Sequence, residues 1–171
     1  MNFIVGSLLY HCREDIAFWI FVTILENYEY RDVFERNLPG LYKHCHVIKR
    51  LFQLHHPKLF EHFDDHGILV EMYASDWIFC LFASLIPIGS LYSDFLDNFL
   101  DKGWPYFYSI CMALLDYFKD RLMKEAEIGE ILYFIKFKSP EKNGGKNGKK
   151  TRSRSNKGVY IVDEETGEIK E

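Results

Sequence analysis

Residues 37–53 read NLPGLYKHCHVIKRLFQ, a turn signal followed by a regular apolar repeat. Pro39 and Gly40 favour a turn, because proline and glycine both interrupt regular structure. After the turn, apolar side chains recur at spacings of four, three and four residues, at Leu41, Cys45, Ile48 and Phe52. This spacing has the period of an α-helix, and polar residues fill the positions between. The stretch therefore predicts an amphipathic helix with one face on the core.

The segment before this turn is more apolar. Residues 16–25 read IAFWIFVTIL, and Glu14 and Asp15 precede them. Acidic residues are favourable at a helix start, where the helix dipole is positive. A helix that is apolar on all sides needs partners all round. We therefore expect residues 16–25 to form a buried central helix.

The rest of the first 137 residues shows the same helical period. A short helix is predicted over residues 57–66, and a longer one over residues 77–86, with Ser75 and Asp76 as caps and Pro87 as its end. Three further helices are predicted, in residues 90–102, 105–122 and 127–137. No stretch alternates with a period of two. The sequence therefore predicts an all-α fold, a compact array of about eight helices.

The last 34 residues differ in composition. Residues 138–158 hold eight Lys or Arg residues and one Glu, and are rich in Gly, Asn and Ser. Such a segment cannot repay the entropy of ordering, so it predicts a disordered, flexible basic linker. Residues 159–171 (VYIVDEETGEIKE) carry one Lys and five acidic residues, and they predict an acidic tail with a short β-hairpin.

The basic run in the linker has more than one interpretation. Its composition favours a solubilising linker. Its charge also suits transient contact with an anionic membrane through a set of cations: Lys146, Lys149, Lys150, Arg152 and Arg154. The run lacks the interleaved aromatic residues of a single-strand binder. The net charge of −4 further excludes a globally basic nucleic-acid-binding protein, so no nucleic acid is expected as a partner.

The spacing of the cysteines and the hydropathy of the sequence indicate the cellular compartment of the protein. Cys12, Cys45, Cys80 and Cys111 are widely separated, with no CxxC pair, which predicts free thiols in a reducing environment. No apolar run reaches the roughly 18–20 residues that span a bilayer. The first residues lack the pattern of an export signal. We therefore expect a soluble cytoplasmic protein.

The histidines are unevenly distributed along the sequence. Six of the seven lie between residues 44 and 66, and His62 and His66 have the spacing of metal ligands on a helix. The metalloprotease pattern requires Glu after the first His, but Phe63 stands there. The histidines are therefore interpreted as polar residues on the wet faces of two helices, and no metal or cofactor is predicted. Cys45 lies on an apolar stripe, and no nucleophile or phosphate-binding motif occurs, so no catalytic residue is predicted.

Five ordered blocks go beyond these general patterns. They are MNFIVGSLLYHCREDIAFWIFVTIL, LPGLYKHCHVIKRL, HPKLFEHFDDHGI, YASDWIFCLFASLIP and FLDNFLDKGWPYFYSICMALL. Together they resemble the C-terminal half of a TBC domain, the all-helical GTPase-activating domain for Rab GTPases. The resemblance runs from residue 1 to about residue 118, and it makes residues 1–137 a partial TBC domain. The positions that carry it are Met1, Asn2, Phe18, Trp19, Pro39, Gly40, His66, Gly67, Tyr73, Ser75, Trp77, Phe82 and Pro87.

The resemblance also implies a mechanism. TBC domains accelerate GTP hydrolysis with an arginine from an IxxDxxR motif and a glutamine from a YxQ motif. Met1-Asn2 matches the end of the family string YxQGMN, which puts the glutamine before Met1 and the arginine further upstream. The resemblance therefore implies that these residues supply a supporting and GTPase-docking lobe without either catalytic side chain.

Two interpretations follow from this. In the first, the chain belongs to a longer activator of a GTP-bound Rab-type GTPase that is cytoplasmic and peripheral to endomembranes. In the second, it is a catalytically inert helical protein that binds a Rab GTPase or serves as a scaffold or adaptor. A half-domain should also expose apolar surface that the other half covers.

Overall fold

The computed structural model describes residues 1–86, 89–125 and 127–136 in full, together with the backbone of residues 161–162 and 169–170. Contacts divide the chain into two units, Met1–Phe137 and Lys138–Glu171. The predicted linker, residues 138–158, lies outside the described residues, and so do the five cations assigned to membrane contact. So does Pro87.

The first unit is all-α, as predicted. Its described part contains eight α-helices: α1 (Asn2–His11), α2 (Glu14–Asn27), α3 (Pro39–His55), α4 (Pro57–Asp65), α5 (Glu71–Cys80), α6 (Ser90–Lys102), α7 (Trp104–Leu122) and α8 (Ile128–Ile135). A 3-10 helix, Tyr30–Val33, connects α2 to α3. None of the helices in the described ranges is both long and apolar enough to cross a membrane.

The centre of the array is α3 rather than α2. α3 packs against the 3-10 helix, α4, α5 and α7, and its apolar stripe is buried as its period predicts. α2 packs against α1 and the 3-10 helix, and it buries only Ala17 and Ile24. The prediction of a central buried α2 was therefore wrong, because Ile16, Phe18 and Trp19 are exposed and Ile20, Phe21 and Leu25 are only partly buried against the core.

Aromatic side chains fill the core around α3 and α5. Trp77 and Tyr73 of α5 lie edge to face, with ring centroids 5.1 Å apart, and both are buried. Phe82, just after α5, stacks on Phe107 of α7 at 4.9 Å. Such pairs contribute about 0.5–1.5 kcal/mol each beyond the burial of their area. The second pair joins the segment after α5 to α7 across the core.

The start and end of α5 differ from the prediction. α5 begins at Glu71 and ends at Cys80, where Leu81 and Phe82 adopt left-handed backbone conformations. Ser75 lies inside the helix, where its hydroxyl donates to the carbonyl of Glu71 at 2.7 Å instead of capping the start. A serine hydroxyl that bonds one turn back along the helix cannot also cap it.

The second unit is described only by two short strands. β1 (Ile161–Val162) and β2 (Ile169–Lys170) pair in antiparallel register, with Ile161 opposite Lys170 and Val162 opposite Ile169.

Candidate functional site

The first two helices expose several large apolar side chains. α1 directs Ile4, Ser7 and Leu8 into the core, at the spacing of one helix face. Large apolar side chains of the same two helices remain in solvent. We name these residues the α1–α2 surface: Met1, Phe3, Leu9, Tyr10, Ile16, Phe18 and Trp19.

Phe18 and Trp19 are the most prominent part of the α1–α2 surface. Their side chains are 59% and 67% exposed, and their rings lie edge to face at 5.3 Å. Scattered exposed hydrophobic residues are normal in monomeric proteins, but clustered ones mark interaction sites. Seven of the fifteen large hydrophobic residues found exposed in the described ranges belong to this hairpin. The α1–α2 surface is therefore the main candidate for a contact with another polypeptide.

Met1 and Asn2 lie at the start of this hairpin. The carbonyl of Met1 accepts hydrogen bonds from the backbone N–H groups of Ile4 and Val5, at 3.1 and 3.2 Å. No side chain caps α1, which agrees with the absence of a capping residue in the sequence.

Pro39 and Gly40 lie where the 3-10 helix meets α3. Pro39 is the first residue of α3, a position where the missing N–H of proline costs nothing. A Cβ atom on Gly40 would lie 2.6 Å from the backbone of Asp32 and of Val33. Glycine is therefore required at residue 40, because any side chain would collide with the backbone of the 3-10 helix.

His66 and Gly67 end α4. Gly67 has a φ of +67°, which glycine adopts without the strain that a side chain would cause. Nδ1 of His66 donates to the carbonyl of His62 at 2.7 Å, and Nε2 of His62 donates to the carbonyl of Glu125 at 2.9 Å. Each of these nitrogens carries a proton, since a carbonyl oxygen can only accept. The two rings therefore act as structural donors at the end of α4 and at the connection from α7 to α8.

The residues singled out from the sequence do not come together in a single pocket. Phe18 and Trp19 are exposed on α2, whereas Tyr73, Trp77 and Phe82 are buried in the core and Ser75 is half-buried. The site residues singled out from the sequence therefore fall into two groups. One group is exposed on α2, and the other packs in the core around α5.

Comparison with known proteins assigns these features to a family. A family model described as the Rab-GTPase-TBC domain matches residues 1–123. The chain belongs to the Rab-GTPase-TBC domain family.

Curated relatives agree with this assignment. The chain is 34% identical over 134 residues to the Rab GTPase-activating protein tbc-11 of Caenorhabditis elegans, covering 78% of this chain and 14% of that protein. It is 31% identical over 132 residues to the Rab GTPase-activating protein eat-17 of the same organism, covering 77% and 15%. It is 30% identical over 134 residues to the human ecotropic viral integration site 5 protein homolog, covering 78% and 16%. The chain thus spans about one seventh of the length of these relatives.

The TBC-domain chain has a buried polar cluster that sequence reasoning missed, and the interpretation of the histidines as residues on the wet faces of helices is wrong for His44. His44 is buried, its ring stacks on the indole of Trp104 at 3.6 Å, and its Nδ1 lies 2.6 Å from the hydroxyl oxygen of Tyr108. Burial lowers the pKa of His44 to about 4, with a smaller contribution from the neighbouring Lys43. His44 lies three residues after Leu41 and four before Ile48, so the helical period contained the signal for its burial.

Two of the four thiols of this TBC-domain chain are not placed for nucleophilic chemistry. Burial raises the pKa of the Cys45 thiol to about 12 and raises that of Cys111 well above its usual range. A thiol that stays protonated at neutral pH is a weak nucleophile. Within the described ranges, no group of three or more His, Cys, Asp or Glu residues is arranged to hold a metal ion.

Proposed function

We propose that this chain is the lobe of a Rab-type GTPase-activating domain that supports the catalytic lobe and helps to dock the GTP-bound GTPase. Family membership over residues 1–123 supports the class of partner, and two of the relatives are named as Rab GTPase-activating proteins.

The α1–α2 surface carries the proposal. It places Phe18 and Trp19 in solvent on helices that belong to the matched domain. Large aromatic residues are enriched in protein interfaces and contribute most when they become fully buried there. The α1–α2 surface supplies apolar area for contact with the catalytic lobe and the GTPase.

The proposed role is positional because neither catalytic motif is recognisable among these 171 residues. The only glutamine in the chain is Gln53, which follows Leu51-Phe52 rather than the tyrosine of a YxQ motif. Its side chain accepts a hydrogen bond from Arg50 at 3.3 Å on the solvent side of α3. We therefore infer that the arginine and glutamine that assist hydrolysis are supplied by other residues.

Nucleotide-dependent capture tests the proposed partner. The full chain is immobilised and exposed to a panel of Rab-type GTPases loaded with GDP or with a non-hydrolysable GTP analogue. We expect the GTP-analogue form of at least one GTPase to be retained preferentially. Equal retention of both forms across the panel would instead favour the inert adaptor.

A pair of variants tests the α1–α2 surface. Phe18→Ser combined with Trp19→Ser should weaken capture several-fold, because it removes two large aromatic contacts. Tyr117→Ser is the control, since Tyr117 is an equally exposed aromatic residue of α7, at 75%. Equal capture by both variants would remove the α1–α2 surface from the docking role.

Single-turnover GTP hydrolysis tests the positional role. An arginine finger alone accelerates hydrolysis by about 10³–10⁵. We expect the chain to leave the intrinsic hydrolysis rate of a captured GTPase unchanged within a few-fold. Acceleration by orders of magnitude would show that this chain carries its own catalytic groups, contrary to the proposal.

Contact of the basic linker with anionic membranes, and a location peripheral to endomembranes, remain proposals from the sequence. Replacing the five cations Lys146, Lys149, Lys150, Arg152 and Arg154 by Gln should release the protein from a membrane fraction. Unchanged distribution would leave the solubilising role as the account of this segment.

A further inference from the structure

The solvent side of α3 carries a cluster of positive charge. Opposite its buried stripe, this helix presents a row of residues that we name the α3 basic face: Tyr42, Lys43, His46, Lys49, Arg50, Gln53 and Leu54. These positions recur at three- and four-residue spacings, so they share one side of the helix. No acidic residue occurs among them.

The charge of this face contrasts with that of its surroundings. Residues 37–60 contain four Lys or Arg residues and no Asp or Glu. The whole of residues 1–137, by contrast, holds 12 Lys or Arg residues against 19 Asp or Glu residues. The α3 basic face is therefore a positive area on an acidic domain, which attracts a negatively charged partner.

The cations of the α3 basic face are only weakly engaged. Lys43 binds Glu29 at 2.7 Å, and both side chains are more than half exposed, so the pair contributes little to stability. Arg50 donates to the neutral amide of Gln53. Lys49 has no ion-pair partner within the described ranges. Most of the charge on this face is therefore free for an external partner.

Two exposed apolar side chains lie at the ends of the same face. Tyr42 and Leu54 are 60% and 73% exposed. The 17-residue helix is about 25 Å long, and its charges are spread along it rather than gathered around one point. A convex row of cations with a terminal tyrosine and leucine suits a flat anionic surface, where aromatic and aliphatic side chains enter the interfacial layer.

We propose that the α3 basic face docks the TBC-domain chain on an anionic lipid membrane. The contact goes beyond GTPase binding and does not depend on it. It is electrostatic and peripheral, since the main apolar stripe of α3 is buried in the core. The proposed contact uses residues of α3 and none of residues 138–158.

Vesicle cosedimentation tests the proposal. The full chain is mixed with phosphatidylcholine vesicles that either lack or contain phosphatidylserine. We expect binding only to the anionic vesicles, and weaker binding as salt is raised. Each Lys or Arg near such a surface contributes about 1 kcal/mol, or roughly fivefold. Lys49→Gln combined with Arg50→Gln should therefore reduce binding on the order of 25-fold.

A charge-matched control distinguishes binding through the α3 basic face from a general effect of net charge on vesicle binding. Lys102→Gln combined with Lys124→Gln removes the same charge from α6 and from the turn that follows α7, and should leave binding within about twofold. All variants keep residues 138–171, so any difference belongs to α3. Leu54→Gln should weaken binding to anionic vesicles with little change in its salt dependence.

Three outcomes would overturn the proposal. The first is equal binding to neutral and anionic vesicles. The second is an equal loss in the α3 and control variants. The third is an absence of binding to the anionic vesicles. Loss of GTPase capture in the variant that combines Lys49→Gln and Arg50→Gln would then assign the face to an acidic protein surface.

Discussion

The Nδ1 atom of His44 lies 2.6 Å from the hydroxyl oxygen of Tyr108, which joins the central helix α3 to α7 by a buried polar contact. Trp104 covers the His44 ring on one face. The imidazole is therefore held in its neutral form, because charging it would place a cation in an apolar site.

Stability should decrease as the pH is lowered through the range set by His44. Its pKa falls from the ordinary 6.5 to about 4 in the folded protein. Between these values the unfolded chain binds a proton that the folded chain does not. The contribution of neutral His44 to the free energy of unfolding is therefore full above pH 6.5 and is lost as the pH falls towards 4. The free energy of unfolding should decrease by up to about 3 kcal/mol over this pH range.

The measurement is urea unfolding at several pH values for the wild type and for His44→Gln. The variant has no titrating group at this position, so the difference between the two proteins isolates His44 from the carboxylates. A difference that stays constant from pH 7 to pH 4.5 would contradict the predicted role of His44.

Local patterns predicted the helices well and their environments less well. The repeat of Leu41, Cys45, Ile48 and Phe52 predicted the buried stripe of α3, because period and burial are linked by helix geometry. The apolar run of α2 predicted a helix but not its exposure, since the side chains that cover a helix come from elsewhere in the polypeptide. Among the positions of the candidate site, the exposure of Phe18 and Trp19 required the structure for this reason.

Gly40 and Gly6 should respond oppositely to the same substitution. Gly40→Ala places a Cβ atom 2.6 Å from the backbone of Asp32 and Val33, which cannot move without shifting the 3-10 helix. We expect a loss of about 1–3 kcal/mol or more in the free energy of unfolding. Gly6→Ala meets no atom within 4 Å inside α1 and should raise stability by about 0.5–1 kcal/mol. Chemical denaturation of both variants checks the pair, and equal effects would contradict the close approach at Gly40.

The four thiols should differ in accessibility to a thiol reagent. Cys12 is half-buried, whereas Cys45, Cys80 and Cys111 are buried. Reagents attack the exposed thiolate, so the native protein should show one reactive thiol and the unfolded protein four. Titration with a chromogenic disulfide, with and without denaturant, gives both numbers. Rapid reaction of Cys45 in the native state would contradict its raised pKa.

Two fully buried tyrosines should tolerate loss of the hydroxyl to different extents. The Tyr30 hydroxyl donates to the carbonyl of Ile78 at 2.7 Å, whereas the Tyr73 hydroxyl has no hydrogen-bond partner within the described ranges. Tyr30→Phe should therefore cost about 1–2 kcal/mol, because the buried carbonyl of Ile78 loses its shorter hydrogen bond and keeps only the 3.4 Å contact with the N–H of Leu81. Tyr73→Phe should be neutral or stabilising, since it removes a buried polar atom that lacks compensation. The midpoints of urea unfolding decide between these outcomes, and an equal loss in both variants would show that Tyr73 also has a partner.

Substitution of one buried and one exposed tryptophan tests whether the α1–α2 surface is free in the folded protein. Trp77 is 1% exposed in the core, whereas Trp19 is 67% exposed on α2. Trp77→Ala should cost about 3–5 kcal/mol, because it leaves a cavity among packed aromatic rings. Trp19→Ala should change the free energy of unfolding by less than about 1 kcal/mol, and it should reduce self-association by making an exposed apolar area smaller. Urea unfolding and sedimentation velocity measure the two effects. A large loss of stability in Trp19→Ala would mean that Trp19 is packed within the folded chain, and the α1–α2 surface would then no longer be a candidate for docking.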